Sequence, residues 1–457
     1  MRLKKIDRRI VLFLLVFLVF STFCSFSRLG TNPSSRFMLT KSIVKYHQFS
    51  ITEEDIKFYS GLDYATYDGK FYVDKAPGIS FATVPIYVVG DLLYKVGINL
   101  PSNDTFNYSS DGNAFFLIIM FLIFVNSLAV VILFDLLQFM KFSKSASFIS
   151  SMTFAFATLF WFYSTTLFSH AFTASLLVFT FYFLVRKKLF ISGLFLGFSI
   201  LVEYTIALFL PIFLLYFLLQ KKNVLKNSFK FYLPVLFLLS VLAVYNYICF
   251  GSIFSLSYSY STFKDTQSFD HPVADGLYQL TISTWRGLFF YNPVLLLSIP
   301  GAILLFKKYR NETVLFVLTF IFYLITFSMY SYFSGGLSYG PRQIVAIIPS
   351  LILLSAPMFD KNYYKMILKK LKMKEGVYLT ILSVLIFISL FHTFLGIFAN
   401  PYPYPEIEKN PIYNIEFKEL LEGRTAPLSL RYPLVFLIMV VIGMLLLIKS
   451  VKYNLIK

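Results

Sequence analysis

Charge is scarce in this chain. Only 14% of its 457 residues are Asp, Glu, Lys or Arg, against roughly 25% in a soluble domain, and that shortage excludes an ordinary water-soluble fold. Cysteine is nearly absent. Cys24 and Cys249 both lie inside apolar runs, so no disulfide framework and no thiolate metal site follows from them. No Walker loop, no dinucleotide-binding glycine fingerprint and no HExxH pair occurs, which removes the common soluble nucleotide and zinc chemistries. Internal repeats, low-complexity tracts and a separate soluble domain are also missing.

What the chain has in abundance is apolar and aromatic. Hydrophobic residues make up 57%, with 56 Phe and 32 Tyr, and mean hydropathy is +0.71. No water-facing core of this size could hide that content, so the solvent is lipid. The formal charge of +18 would point to nucleic acid in a soluble protein. Here the Lys and Arg sit in short clusters between apolar runs, the pattern of cytoplasmic loops, and no nucleic-acid partner is expected.

A spanning helix needs about 20 apolar residues. Thirteen runs qualify: Ile10–Phe26, Ile79–Val96, Ala114–Met140, Phe148–Tyr163, Leu167–Val185, Leu189–Val202, Ile206–Leu219, Phe231–Phe250, Leu288–Phe306, Val314–Phe333, Ile344–Phe359, Tyr378–Phe398 and Pro433–Ile448. The expected fold is an all-α polytopic membrane protein with twelve or thirteen transmembrane helices in a single membrane domain, 1–457. Met1–Lys5 and the run after it resemble a signal peptide, but no small-residue cleavage site follows Phe26, so the run reads as an uncleaved anchor.

Basic clusters set the orientation. Arg8-Arg9, Arg186–Lys188, Lys221-Lys222, Lys307–Arg310, the six lysines of 361–374 and the tail lysines should be cytoplasmic, with the N-terminus inside. Three long loops then fall outside: 27–78, 251–287 and 399–432, the last rich in glutamate. The first should hold short interfacial helices, because Ser35–Val44 is amphipathic. The early count does not close. Both ends inside require an even number of crossings, and Ile79–Val96, interrupted by Asp91 and Lys95, is the weakest of the thirteen.

Ionisable groups at the membrane are costly and default to function. His170 starts one run, Glu203 ends another with Tyr204 behind it, Arg286 precedes a third, and Arg342 follows the turn Gly335–Pro341 that contains Tyr339. Asp74-Lys75 closes the first outer loop, with Asp63 upstream. Taken singly, an outer-edge His or Arg is commonly an interfacial anchor. Five such sites on one face form a candidate active site. Glycosyl transfer from a phosphate-linked donor needs cations for the leaving phosphate, for which Lys75, Arg286 and Arg342 are candidates. It also needs a carboxylate to deprotonate the acceptor or stabilise positive charge, for which Asp74, Asp63, Asp68 and Glu203 are candidates. Tyr and Trp of the outer loops can stack on sugars. An enzyme outside the cytoplasm has no nucleotide supply, so its donor would arrive on a membrane lipid.

The chain resembles the GT-C class of integral-membrane glycosyltransferases, which includes the protein O-mannosyltransferases and lipid A aminoarabinose transferases, in a prokaryotic branch. Residues 8 to 360 carry the resemblance through Ser35–Thr40, Asp63–Ala65, Tyr72–Gly78, Phe168–Ala171, Glu203-Tyr204, Arg286–Tyr291 and Ser334–Arg342. It implies a polyprenyl-phosphate sugar donor, an acceptor that is lipid, protein or glycan, transfer on the outer face of the plasma or inner membrane, and Lys75 as a contact to the donor phosphate. His170 falls where that class has a second-loop acid. One departure stands out: the early-loop carboxylate of many members is replaced here by Asn32-Pro33-Ser34-Ser35-Arg36, which leaves Asp74, Glu203 and His170 as the catalytic candidates. No cofactor follows from the sequence, although the acids are compatible with a divalent metal. The competing readings are a transporter or flippase of lipid-linked glycans and a non-catalytic relative. A transporter should place its ionisable groups near the bilayer midplane, whereas Asp91 and Asp135 sit toward run ends.

Overall fold

The structure, a computed structural model, describes residues 7–24, 31–59, 63–101, 109–264, 268–336, 338–398 and 410–422. The expected span Pro433–Ile448 and most of the loop 399–432 lie outside the described residues. After α1 (Arg8–Thr22) the first long loop contains α2 (Thr31–Lys45), α3 (Glu53–Phe58), an antiparallel hairpin of β1 (Tyr64–Tyr67) and β2 (Lys70–Val73), and α4 (Gly78–Lys95). The bundle continues through α5 (Ser110–Phe139), α6 (Lys144–Phe156), α7 (Phe160–Ser164), α8 (Ser169–Val185), α9 (Leu189–Val202), α10 (Leu210–Gln220) and α11 (Val224–Phe250). The second half holds α12 (Val273–Thr281), α13 (Leu288–Tyr291), α14 (Ser298–Phe306), α15 (Arg310–Met329), α16 (Ile348–Phe359), α17 (Lys361–Leu371), α18 (Glu375–Phe398) and α19 (Phe417–Leu421).

Five stretches are long and apolar enough to cross a bilayer: Ser110–Phe139, Val224–Phe250, Arg310–Met329, Arg342–Phe359 and Glu375–Phe398. Shorter apolar helices fill in around them. Outward-facing side chains such as Leu236, Phe237, Ile299, Ile303 and Phe387 are well exposed, as a lipid-facing belt requires. This is a multi-pass membrane protein. Where helices meet closely, glycine makes room: a Cβ on Gly193 of α9 would sit 1.9 Å from the Phe231 carbonyl oxygen of α11, so only a residue without a side chain permits that crossing.

Contacts sort the helix ends into two sets. Arg9 pairs with Asp135 at 2.8 Å, and Asp360 accepts from the Ser143 amide at 2.7 Å. The Tyr309 hydroxyl donates to the Met140 carbonyl. Arg186 lies 5.1 Å from the Phe139 ring centroid, and Tyr216 donates to Glu312 at 3.1 Å. The starts of α1, α6 and α15 therefore share one end with the finishes of α5, α8, α10 and α16. That end collects the basic clusters, Lys141 and Lys144 included.

The position of α4 resolves the odd count. A Cβ on Gly78, its first residue, would lie 2.5 Å from the Leu201 backbone at the finish of α9. A Cβ on Gly90, near its last turn, would lie 2.6 Å from the Ala114 backbone at the start of α5. Both of those partners belong to the end opposite the basic clusters. Helix α4 thus lies at that end, packed along α5, and does not pass through the bundle, so Ile79–Val96 is not a crossing.

The first loop differs from expectation in two ways. Helix α2 exists, but residues 32–40 are all buried, so its polar residues face protein and do not rest in the membrane interface. The hairpin was not anticipated. Its turn, Asp68-Gly69, has φ of 48° and 68°, the left-handed pair that a two-residue hairpin turn needs and that Asp-Gly accommodates. The expected run Phe148–Tyr163 is broken between α6 and α7. There Asn292, at the break after α13, accepts from the Leu159 amide at 3.1 Å. The second interruption thus supplies a side-chain partner for backbone freed by the first, which is what tolerates irregular chain at membrane depth.

Candidate functional site

The hairpin positions the first two charged groups. Tyr64 pairs with Val73, which brings Asp63 and Asp74 to the same open end of the ladder. Lys75 bridges them, 2.9 Å from Asp74 Oδ2 and 3.4 Å from Asp63 Oδ2. A bridge between Ala65 and Ser261 adds the second outer loop to the hairpin, and the Ser261 hydroxyl donates to Asp74 Oδ2 at 2.9 Å. Asp74 is fully buried. Its Oδ1 has no hydrogen-bond partner, an arrangement costly enough to call for a ligand or a proton. Burial pushes its carboxyl above the ordinary range, and Lys75 pulls it part of the way back.

The same network continues sideways. Ser257 donates to the Asp74 carbonyl oxygen at 2.9 Å and lies 3.3 Å from the Tyr204 hydroxyl. Glu203, next to Tyr204, sits just past α9 in extended backbone with φ −149°. That geometry turns its carboxylate toward His170 on the first turn of α8, with Glu203 Oε1 at 2.7 Å from His170 Nδ1. Glu203 Oε2 is buried without a partner. A carboxylate on Nδ1 favours the tautomer that donates there and leaves Nε2 as a proton acceptor. The His170 ring is held by Phe168, stacked at 6.0 Å, and by Tyr163, edge-on at 5.6 Å.

Arg342 and Arg286 have different roles. Arg286 is buried and donates to the carbonyl oxygens of Gly336 at 2.7 Å and Gly340 at 3.0 Å, and also to that of Ser338. It clamps the glycine turn from inside the protein. Tyr339 is likewise engaged, its hydroxyl on the His392 carbonyl and its own carbonyl accepting from Tyr163 at 2.6 Å. The clamped turn delivers Arg342, which lies 5.4 Å from the Phe168 ring centroid and enters no ion pair among the described residues. Its Nε is buried and unpartnered. Gly335, at φ 70°, leaves the space: a Cβ there would lie 2.6 Å from Arg342 Nε.

One site residue escaped the sequence reading. Arg36 of α2 is 4% exposed and reaches Ser169 at 3.0 Å. The sequence places it in an amphipathic stretch and at the segment that lacks the early-loop carboxylate, and assigns it no role. The one available signal was a lone arginine among Asn, Pro and Ser in a segment without an acid. Among the described residues no three His, Cys, Asp or Glu side chains gather as a metal site.

Comparison with known proteins places this arrangement in a fold. No family model matches the chain, and no curated protein matches it. Among solved structures, the apo oligosaccharyltransferase of Archaeoglobus fulgidus is similar at TM-score 0.52 and 12% identity, over 86% of this chain and 56% of that one. ArnT from Cupriavidus metallidurans bound to undecaprenyl phosphate aligns at TM-score 0.48 and 13% identity, over 77% of this chain and 60% of that one. The same protein in its apo state aligns at 0.48 and 15%, over 76% and 58%. These neighbours are GT-C glycosyltransferases, and the likeness to the oligosaccharyltransferase is one of fold. This chain spans under two thirds of the length of each.

Proposed function

We propose that the protein is a membrane glycosyltransferase that moves a sugar from a polyprenyl-phosphate-linked donor to an acceptor hydroxyl at the end opposite the basic clusters, taken as the extracytoplasmic face. The observation that carries this reading is one buried network, Asp63–Lys75–Asp74–Ser257–Tyr204 continuing to Glu203–His170, with two carboxylate oxygens lacking partners. Such groups are maintained in an apolar bundle at a cost that only use explains. The shared fold of an oligosaccharyltransferase supports the same class of reaction.

In the reaction, the acceptor hydroxyl gives its proton to Asp74 Oδ1 as its oxygen bonds to the anomeric carbon. The bond from that carbon to the donor phosphate breaks, and the phosphate leaves with the electron pair. A carboxyl raised by burial is a better proton acceptor near neutral pH than an ordinary aspartate. Lys75 holds Asp74 and Asp63 in place, and Glu203 fixes the His170 tautomer that leaves Nε2 as a proton acceptor. The donor's lipid chain has an apolar cavity of about 290 Å³ beside α4, lined by Phe49, Phe81, Val241, Val244, Tyr245 and Ile248.

The test is turnover. Purified protein in lipid is given a panel of radiolabelled polyprenyl-phosphate sugars, and release of free lipid phosphate is followed for wild type, Asp74→Asn and Lys75→Ala. Wild-type release that both variants lose supports the reading. Release that survives both moves the site elsewhere, and specific donor binding without release by wild type favours a transporter or a non-catalytic protein.

A further inference from the structure

The transferase reading leaves open where the leaving phosphate rests, and Lys75 is already shared by two carboxylates. We propose that the phosphate is seated over the first turn of α8, between the guanidinium groups of Arg36 and Arg342, with Lys75 serving the acids instead. This inference rests on the transferase reading for the identity of the anion and on separate observations for the site.

Helix α8 has 17 residues, and its N-cap, Phe168, offers no side-chain hydrogen bond to the exposed backbone amides. An uncapped N-terminus attracts anions through those amides and the helix dipole. Two cations converge on it independently. Arg36, on α2, donates to Ser169 Oγ at 3.0 Å, and its Nε is buried with no partner. Arg342, from the glycine turn, lies over Phe168, and its Nε is buried and unpartnered too. Neither guanidinium has a carboxylate within ion-pair distance among the described residues. The partner that would cancel Arg36 is absent for a reason legible in the chain. Its Nη1 donates to the Asn32 side-chain and backbone oxygens, and Asn32 is neutral, so no contact ion pair cancels the charge and Glu203, Asp74 and Asp63 act on it only from further away. A guanidinium presents paired donors that fit phosphate oxygens, whereas an ammonium acts as a point charge. A buried arginine held by a neutral amide, facing a second unpaired arginine across a bare helix N-terminus, is a phosphate seat. His170, one residue further along α8, then lies beside the phosphate oxygens, where Nε2 can take up or return a proton.

The proposal is tested by binding of undecaprenyl phosphate to the full chain in neutral-lipid nanodiscs, with inorganic phosphate as a second probe. Three variants separate the possibilities: Arg342→Gln, Lys75→Gln, and Asn32→Asp, which keeps the fold and gives Arg36 an internal counter-ion. Arg342→Gln and Asn32→Asp are each expected to weaken lipid-phosphate binding about tenfold or more, the scale of one lost charge-assisted contact. Lys75→Gln should change affinity less than threefold while abolishing turnover. Affinity unchanged in both Arg342→Gln and Asn32→Asp, with loss in Lys75→Gln, overturns the seat and returns the phosphate to Lys75. Arginine-dependent binding of inorganic phosphate without binding of the lipid overturns the leaving-group assignment. Wild-type turnover in the same discs reports separately on the transferase reading: if turnover is absent while arginine-dependent lipid binding persists, that reading fails and the seat stands.

Discussion

At the scale of single residues, the site is a set of buried polar atoms that the protein itself does not satisfy. Asp74 Oδ1 and Glu203 Oε2 are the clearest, and they lead to two expectations. Asp74→Asn should lower turnover about 10²- to 10⁴-fold, the range for loss of a general base, with donor affinity nearly unchanged. Wild-type activity should fall as pH drops through the raised carboxyl pKa, giving an acidic limb above the ordinary aspartate value of about 4. That limb should be absent from the residual rate of Asp74→Asn. Its origin is in the chemistry and not in unfolding. The folded pKa is raised, so this group's contribution to stability is greatest below its unfolded pKa and declines as pH rises through the folded one. Glu203→Gln keeps the shape but no longer stabilises a protonated His170. Turnover should drop at least about tenfold with no change in melting temperature beyond a few degrees, read by activity and thermal unfolding of the same preparation.

At the scale of elements, the site depends on where α4 begins. Lys75 precedes Gly78 by three residues, and Gly78 touches the backbone at the finish of α9. Gly78→Ala would force the start of α4 away from α9 and displace Lys75 and Asp74 together. An overpacked contact of this kind costs about 1–3 kcal/mol, and a misplacement near 1 Å can cost about 10²-fold in rate. The expected result is a modestly less stable protein with turnover reduced far more than its donor affinity. Equal losses in both would place Gly78 outside the catalytic geometry. The hairpin makes the same point about legibility. Its Asp-Gly turn and alternating aromatics are visible in the chain, but each strand has only four residues, too short a run to stand out beside the amphipathic stretch upstream. Long-range partners such as Ser261, which contacts Asp74 from 187 positions away, carry no local signal at all.

At the scale of the whole molecule, the arrangement is a bundle with one basic end and one end that bears the site. It predicts a definite labelling pattern. With the two buried cysteines replaced by serine, single cysteines at Asp68 and Lys95 should react with an impermeant reagent from the same side of sealed vesicles. A cysteine at Lys365, on α17, should react from the other side. If Lys95 instead labels together with Lys365, then α4 crosses the bilayer and its placement at the site-bearing end is wrong. The site, the hairpin and α4 would then need to be reassigned to opposite faces.

Apolar runs of membrane length, basic clusters between them and costly polar residues at their ends are local properties. They determined the fold class and most helix boundaries, and they marked Asp74, Lys75, His170, Glu203 and Arg342 as candidates for one site. Three matters needed the tertiary structure. Whether α4 crosses depends on which helix ends it touches. Whether an arginine is spent or free depends on the carbonyls or amides within its reach, which separates Arg286 from Arg342. The proposed role of Arg36 follows only from its reach to Ser169 at the start of α8, because its charge acquires meaning from a neutral Asn32 on one side and a bare helix N-terminus on the other.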